Sequence, residues 1–273
     1  MMTPLRLVSF NILEGLRPLH GSDLDRRSLD RQRLEAAVAV VEDLAPDILV
    51  LNEALYCRAH AGRVVDYASL FSFAYEAAAL YEGAWGNAIL SQHPITRASE
   101  LRTHNRGGLS AAIATPIGRL NVASYHPHPL RHPENKALDF AAMVAAVEGP
   151  LLVCGDLNSI SPEDVVDREL LIEAFRSFAS DPELAVDRFI ESGRQIFSCL
   201  AQFGLRDAIP SAGRRYSIPT DLINLDKSSA MRIDHILAND GIEVVGGEVI
   251  HSAASNRASD HHPVMLEFRL KGG

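Results

Sequence analysis

Apolar residues follow two different periods along this chain, and the change of period predicts mixed α and β structure. Residues 5–12 (LRLVSFNI) are rich in β-forming residues and predict a first strand. Between residues 28 and 44 the apolar positions recur at helical spacing, and Pro46 disfavours helical angles at Ala45 before it. Residues 47–52 (DILVLN) are almost wholly apolar, which is typical of a strand buried on both faces. The chain is therefore predicted to open strand–helix–strand.

The middle of the chain carries short β-like segments that are separated by turn residues rather than by helices. These segments are 87–92, 98–103, 109–115 and 118–125, and they predict pieces of an antiparallel meander. The rest of the chain predicts a helix at 134–147, a buried strand at 151–154, two or three helices within 162–203, and strands at 231–238, 242–250 and 263–270. One of those helices is predicted to begin at Asp181, because Pro182 suits a first helical position.

The order of these elements favours a single domain over residues 1–273. No repeat, low-complexity tract or linker divides the chain, and strands from both halves are needed to complete a sheet. Helices lie on both sides of the mixed strands in this arrangement. The predicted fold class is therefore a layered α/β sandwich.

Composition narrows the class of protein without identifying its function. Of 273 residues, 47% are hydrophobic and 22% charged, as in an ordinary globular protein. The formal net charge of −9 disfavours sequence-independent binding to nucleic acid but permits a local basic patch. Three scattered cysteines, Cys57, Cys154 and Cys199, indicate reduced thiols in a cytoplasmic protein. We expect neither a secretory signal nor a transmembrane helix, because neither pattern occurs.

Polar residues that interrupt or follow the apolar strands are the candidates for chemistry, because strand ends deliver side chains to loop edges. The candidates are Asn11, Glu14, Glu53, His126, Asp156, Asn158, Asp234, Asp260 and His261. Taken singly, each also has an ordinary interpretation: a turn residue, a helix cap, a solvated carboxylate or a structural histidine. Taken together they form one chemically consistent set.

That set combines hard oxygen ligands, a base and histidine donors. Glu53, Asp260 and Glu14 are candidate oxygen ligands, and oxygen-rich sites suit Mg²⁺ or Mn²⁺ better than Zn²⁺. Asp156 is a candidate base, and the buried Asp234 is expected to orient a histidine. Such groups fit hydrolysis of a phosphate ester, in which a metal offsets charge and histidines bind phosphoryl oxygens.

Seven motifs in order, SFNI, DILVLNE, GNAILS, SYH, GDLNS, RIDHIL and SDHHPV, resemble those of the endonuclease/exonuclease/phosphatase superfamily of DNase I-like enzymes. The resemblance runs over residues 5–268. It implies a four-layer sandwich of two mixed sheets between helices, with the site at one end of the sheets. It also implies a metal-dependent phosphoesterase that hydrolyses a phosphodiester or phosphomonoester by attack of activated water.

The resemblance assigns roles position by position. Asn11 and Glu53 are similar to the metal-site Asn and Glu, and His126 to the first catalytic His. Asp156 and Asn158 are similar to the pair that orients the attacking water and the phosphate.

In the C-terminal part, Asp234 is similar to the acid that hydrogen-bonds the last histidine, and Asp260–His261 to the terminal Asp-His pair. The resemblance implies that an imidazolium-like His261 stabilises the phosphorane. The division of proton roles between Asp156 and the histidines stays open.

The chain departs from the family pattern at three places. Asn52 stands where the family usually has Gln, and we expect metal binding to be retained with altered geometry around it. Residues 14–17 (EGLR) resemble the Asp-Gly-Leu-Arg of abasic-site endonucleases with one extra residue before them, which would add Glu14 to the metal site. His126 argues against that branch. A longer, helical segment at 165–205 is expected to cover the site and set substrate choice.

The sequence says less about the substrate than about the fold or the site. Arg102, His104 and Arg106 precede a Gly-Gly pair, and further cations stand at Arg131, His132, Arg214 and Arg215. They are either receptors for substrate phosphates or solvated loop cations. No Lys/Arg stripe marks a duplex-binding groove. We therefore expect a monomer acting on a small phosphate ester or a short single strand, with a repair-type DNA nuclease and a non-catalytic phosphate- or protein-binding relative as alternatives.

Overall fold

Two mixed six-stranded sheets form the centre of the molecule in a computed structural model that describes residues 3–20, 29–55, 65–81, 85–103, 106–129, 131–176, 179–223 and 230–271. The strands are β1 (Leu5–Asn11), β2 (Ile48–Leu55), β3 (Tyr75–Tyr81), β4 (Trp85–Ser91), β5 (Ile95–Arg102), β6 (Gly107–Thr115), β7 (Gly118–His126), β8 (Leu151–Asp156), β9 (Arg206–Asp207), β10 (Asp234–Ala238), β11 (Ile242–Val249) and β12 (Val264–Leu270). The first sheet has the order β11-β12-β1-β2-β4-β3, and the second has the order β5-β6-β7-β8-β10-β9.

The helices pack on the outer faces of these sheets. They are α2 (Arg31–Leu44), α3 (Tyr67–Phe71), α4 (Pro133–Val144), α5 (Arg168–Phe175), α6 (Pro182–Gln202) and α7 (Ser255–Ala258). A further single turn, α1 (Leu13–Leu16), has positive φ throughout and is left-handed. In the described part of the chain, no helix is both long and apolar enough to cross a membrane.

Three apolar layers hold the sandwich together. Apolar side chains from the inner faces of both sheets form one core, which includes Leu7, Val50, Val122 and Ile236. A second core joins the first sheet to α2, α3 and α7, and a third joins the second sheet to α4 and α6. The predicted four-layer sandwich of two mixed sheets flanked by helices is confirmed.

The strand pairing corrects the predicted meander. The segment predicted at 87–92 is β4, which pairs with β2 in the first sheet, whereas β5, β6 and β7 form an antiparallel meander in the second. Strand β3 was not predicted, because its alanine-rich sequence (YEAAALY) has low β-propensity and it lies at a sheet edge. The strand predicted at 231–238 begins at Asp234, and Met231 forms only an isolated bridge with Ile218.

The helical segment predicted at 165–205 contains α5 and α6. Their apolar faces pack on Ile160, which follows β8, and on Ile233, which precedes β10. The segment therefore rests against the two chain stretches that carry Asp156 and Asp234. That it covers the site, and that the whole chain is one domain, stay predictions.

Asn52 is a buried polar link between the two sheets. Its side-chain NH₂ donates to Asn87 Oδ1 at 2.9 Å and to Ser124 Oγ at 3.1 Å, and its Oδ1 accepts from the Asp156 N–H at 2.8 Å. Asn52 and Asn87 belong to the first sheet, while Ser124 and Asp156 belong to the second. Its polar atoms are thus satisfied where no water reaches them, as a buried amide requires.

Gly155 makes this close approach possible. It has φ +135°, and a Cβ placed there would lie 2.4 Å from the Tyr125 carbonyl oxygen and 2.9 Å from Asn52 Oδ1. A side chain would therefore push the second sheet away from the amide that joins the sheets.

We expect Gly155→Ala to lower the free energy of unfolding by more than about 3 kcal/mol, because backbone strain and a steric clash add. The matched control is Gly149→Ala, where φ is +86° but no atom lies within 4 Å of the new Cβ. Strain alone predicts a loss of about 1–2 kcal/mol there. Urea denaturation of both variants measures the difference, and equal losses would contradict this account.

Candidate active site

Strand ends bring three candidate residues to one end of the sandwich. Asn11 ends β1, His126 ends β7 and Asp156 ends β8, and all three side chains are buried. Asn11 Nδ2 donates to Asp156 Oδ2 at 3.1 Å, and His126 Nε2 lies 3.3 Å from the same oxygen. Asp156 Oδ2 is therefore the point at which the two sheets meet in the site.

Glu53 joins this group because β2 is irregular. The pairing of β2 with β4 shifts register between Leu51 and Ala54, and Glu53 has φ +58°. A regular strand sends consecutive side chains to opposite faces, whereas a bulge re-aims one of them. Asn52 thus faces the second sheet while Glu53 Oε1 comes within 3.9 Å of His126 Nε2.

Asp156 is held as a carboxylate. Burial by itself raises its pKa, but the hydrogen bond and charge of His126, the charge of His261 and the Asn158 N–H bring the pKa of Asp156 below its usual range. The Asn158 N–H donates to Asp156 Oδ1 at 2.9 Å, so both carboxylate oxygens have partners. Asp156 is consequently ionised and oriented at neutral pH.

The second acid–histidine pair is formed by Asp234 and His261. His261 Nδ1 lies 2.7 Å from Asp234 Oδ2, and both side chains are buried. Burial lowers the pKa of His261, but Asp234, Asp260 and Asp156 together raise it well above the ordinary value. His261 is therefore an imidazolium whose Nε2 lies 3.9 Å from Asp156 Oδ2 and 3.9 Å from Asp260 Oδ1.

Asp260 and Glu14 complete the acidic side of the site. Burial raises the pKa of Asp260, and the charges of Glu53 and Asp156 raise it further while His261 lowers it. The Glu14 N–H donates to Glu53 Oε2 at 2.9 Å, so the backbone of α1 touches the site. The Glu14 carboxylate is 26% exposed and lies 3.7 Å from Arg17 Nη2.

Asn158 stands beside Asp156 in a left-handed conformation with φ +45°. Its side-chain NH₂ donates to the Pro127 carbonyl at 3.1 Å. Asn tolerates this conformation better than most residues, which explains its place in the Gly-Asp-x-Asn turn.

The structure separates the predicted substrate-binding arginines. Arg106 contacts His126 and lies 3.6 Å from Glu53 Oε1, whereas Arg102 is 77% exposed and pairs with Glu100. His104 lies outside the described residues. The other loop arginines are engaged by carboxylates: Arg131 with Asp139, Arg214 with Glu163, and Arg215 with Glu248.

Lys136 is a buried residue beneath the site that the sequence reasoning missed. Its Nζ donates to the Asn158 carbonyl at 2.8 Å and to Ser159 Oγ at 3.2 Å. Burial lowers the pKa of Lys136 to about 8, although Asp156 acts to raise it. Lys136 precedes Phe140 by four residues on the buried stripe of α4, and this helical spacing is the signal that would have revealed it.

The donor set fits a hard divalent cation. In the described part of the chain, no three acidic, His or Cys side chains form a ready group of metal ligands. Mg²⁺ does not need one, because it typically takes one or two carboxylates and keeps several waters. Glu53 and Asp260 supply such carboxylates, and the pKa of Asp260 is raised first by burial and then by the negative charges of Glu53 and Asp156, which a cation would offset. The Asn11 side-chain oxygen accepts from the Leu13 N–H at 3.0 Å, and the Glu14 backbone N–H, rather than its carboxylate, is the group that contacts Glu53.

A comparison with protein-family models identifies the family of this chain. The model of the Endonuclease/Exonuclease/phosphatase family matches residues 8–261, which is most of the chain. The chain belongs to the Endonuclease/Exonuclease/phosphatase family. Members of this family are generally hydrolytic phosphoesterases. None of the curated proteins matches the sequence.

Solved structures show that the fold of this Endonuclease/Exonuclease/phosphatase member is shared. An endonuclease/exonuclease/phosphatase from Beutenbergia cavernae is 22% identical with a TM-score of 0.70, covering 99% of this chain and 72% of that one. An AP endonuclease from Archaeoglobus fulgidus is 18% identical with a TM-score of 0.68, covering 96% and 98%. A 3′ phosphatase from Neisseria, bound to a product DNA hairpin, is 19% identical with a TM-score of 0.66, covering 97% and 99%.

We expect Asp234→Asn to lower the pKa of His261 toward the ordinary value of about 6.5, because the closest carboxylate loses its charge. NMR titration of the imidazole measures this change. Glu134→Gln, which neutralises the carboxylate 3.9 Å from the exposed His132, is the control and should leave His261 unchanged. An unchanged pKa in Asp234→Asn would contradict the assignment.

The same pair has a consequence for stability. The pKa of His261 is higher in the folded state than in the unfolded state. The Asp234–His261 pair therefore contributes its full share to the free energy of unfolding below about pH 6.5, and this contribution is lost as the pH rises through the raised pKa. Asp234→Asn should remove this part of the pH dependence in urea denaturation.

Proposed function

We propose that this chain is a Mg²⁺- or Mn²⁺-dependent phosphoesterase that hydrolyses a phosphodiester by attack of activated water. The observation that carries the proposal is the opposition of an ionised Asp156 and a cationic His261, whose nearest side-chain atoms are 3.9 Å apart. One group attracts the proton of a water molecule, and the other attracts the negative oxygens of a phosphoryl group. Both are fixed by buried hydrogen bonds before any substrate arrives.

The side chains divide the work in this proposal as follows. Asp156 orients the attacking water and takes its proton, and Asn158 turns toward the phosphate. His261, held by Asp234, donates to a phosphoryl oxygen as charge develops there. His126 stands on the other side of Asp156 and donates to a second oxygen. Asn11, Glu53, Asp260 and Glu14 would hold the divalent cation, which would supply further positive charge at the phosphoryl oxygens.

The surroundings favour a small substrate or a short single strand. Arg106 is the arginine beside the site, while Arg131, Arg214 and Arg215 are already paired with carboxylates of the chain. A duplex would need a continuous line of available cations to displace its counterions. With a net charge of −9, the protein is better suited to a compact phosphate ester.

We further place the protein in the cytoplasm as a monomer. Cys154 and Cys199 are free thiols, and Cys154 is fully buried. Unpaired cysteines of this kind are typical of a reducing compartment.

The decisive experiment is hydrolysis of bis(p-nitrophenyl) phosphate with Mg²⁺ or Mn²⁺, with p-nitrophenyl phosphate as the monoester arm. We expect activity that EDTA abolishes. Asp156→Asn and His261→Gln should each lower kcat by about 10²–10⁴-fold, the range for a lost acid–base or charge-stabilising group. Arg119→Ala, an exposed change at the start of β7 and far from its site end, is the control. Full activity in both site variants would contradict the residue assignment.

A repair-type DNA nuclease is the second candidate. It is supported by the place of the Glu14-Gly15-Leu16-Arg17 turn, whose first N–H donates to Glu53, and by the AP endonuclease and 3′ phosphatase among the similar structures. Incision of plasmid, single-stranded and abasic-site DNA tests it directly. Cleavage of abasic DNA faster than of the small diester would favour this candidate.

Arg106 provides a separate test of how substrate is held. We expect Arg106→Ala to raise KM by at least about tenfold, because one charge-assisted hydrogen bond to the phosphate is lost. The control is Arg97→Ala, an exposed position on β5. Steady-state kinetics on the best substrate of the panel gives both values, and an unchanged KM in Arg106→Ala would remove Arg106 from the binding site.

A further inference from the structure

Arg33 is a buried guanidinium beneath the acidic side of the site. It lies in the first turn of α2 and is 3% exposed. Its Nη2 donates to the Ile12 carbonyl at 2.9 Å and to the Leu13 carbonyl at 2.8 Å, and its Nε donates to the Ala258 carbonyl at 3.0 Å. Its Nη1 donates to the Arg17 carbonyl. A single side chain therefore binds four backbone carbonyls.

These four carbonyls belong to the two loops that carry three of the candidate metal ligands. Ile12, Leu13 and Arg17 bracket α1, which follows Asn11 and contains Glu14. Ala258 ends α7 and is followed by Ser259 and Asp260. The neighbouring strands β1 and β12 pair with each other as far as Ser9 and Val264, and beyond that pairing Arg33 bridges one loop directly to the other.

The loop after β1 has a conformation that needs such a support. Leu13, Glu14 and Leu16 have φ values of +41°, +49° and +64°, which cost non-glycine residues roughly 1–2 kcal/mol each. A left-handed turn directs its carbonyl groups differently from a right-handed one. Arg33 stabilises this turn by donating hydrogen bonds to carbonyl groups at both of its ends. Ser259 Oγ adds a bond of 2.6 Å to the Asn11 carbonyl.

Arginine is the side chain suited to this position. Its planar guanidinium carries five N–H donors in a fixed fork, whereas lysine offers three donors around one nitrogen. Burial lowers the pKa of Arg33, but Asp260, Asp30, Glu14 and Glu53 act to raise it, and arginine stays charged in proteins. The fixed positive charge faces the same carboxylates that are candidates for the metal.

We propose that Arg33 is a positioning residue for the divalent cation: by bridging α1 to the segment after α7, it fixes Asn11 and Glu14 relative to Asp260. The inference rests on the proposed metal-dependent function. Arg33 itself contacts neither metal nor substrate in this proposal. By joining the two loops, it helps to hold Asn11 and Glu14, near the N-terminus, at a fixed distance from Asp260, near the C-terminus.

The test is Mn²⁺ affinity, measured by electron paramagnetic resonance on the full chain without substrate. We expect Arg33→Lys to weaken Mn²⁺ binding by about 10–100-fold, as for other residues that orient metal ligands. Arg31→Lys is the matched control, because Arg31 is two residues earlier on α2, is 89% exposed and pairs only with Glu35 among the described residues. Glu53→Gln should abolish binding and marks the site. Circular dichroism at the assay temperature establishes that each variant is folded.

The possible results distinguish a failure of the proposed metal-dependent function from a failure of the proposed role of Arg33. If the unchanged protein binds no Mn²⁺, the metal-dependent function is wrong and the role of Arg33 falls with it. If the unchanged protein binds Mn²⁺ and folded Arg33→Lys binds it equally well, the function stands and the role of Arg33 is overturned. A merely structural role would lower the Tm without changing Mn²⁺ affinity.

A measurement on the unchanged protein keeps the proposal testable if Arg33→Lys does not fold. Titration with Mg²⁺ should shift the Nε–H signal of Arg33 in a ¹⁵N NMR spectrum, because the loops it bridges tighten around the ion. The Nε–H signal of Arg31 should stay in place. An unmoved Arg33 signal at saturating Mg²⁺ would overturn the proposal.

Discussion

The amide of Asn52 is the contact on which the geometry of the site depends. It carries three hydrogen bonds and reaches from β2 in the first sheet to β7 and β8 in the second. An amide buried without partners costs about 1–3 kcal/mol, so each of these partners is held in place by the others. Since Glu53 follows Asn52 and the Asp156 N–H donates to its amide oxygen, this side chain and the Asn11–Asp156 hydrogen bond together set the spacing of the acidic groups across the two sheets.

Electrostatics explains why so many carboxylates can share a small buried volume. Asp234 is balanced by His261, Asp156 by both histidines, and Glu53 by Arg106. The positive groups are fixed rather than drawn from solvent, because burial makes an unpaired charge costly. Asp260 is the exception, since burial and its acidic neighbours raise its pKa. Several of the acidic side chains of the chain are thus gathered where positive charge, from the chain or from a cation, balances them.

The sequence predicts the strands and their polar ends well, because the period of apolar residues and the position of a polar break are local properties. It predicts poorly what depends on pairing across the chain. Strand β3 was missed because alanine says little about a sheet edge, and β4 was placed in the wrong group because strand partners are not encoded in spacing. Arg102 and Arg106 look equivalent in sequence, yet Arg106 reaches Glu53 whereas Arg102 is exposed and pairs with Glu100. The sequence does not indicate that Arg33 joins two loops. Its partners are backbone carbonyl groups, which every residue carries, so no residue type marks them.

The anchoring of the Asp156–Asn158 turn from below bears on how substrate is received. Lys136 binds the Asn158 carbonyl, His235 Nε2 lies 2.9 Å from the Ser159 carbonyl, and burial lowers the pKa of His235 to about 3, so it stays neutral. With its carbonyls occupied, the turn presents only side chains and N–H groups to the site. Its conformational entropy is lost when the chain folds rather than when ligand binds. A ligand that contacts this turn therefore meets a conformation that is already fixed, and little of its binding free energy is lost in ordering the turn.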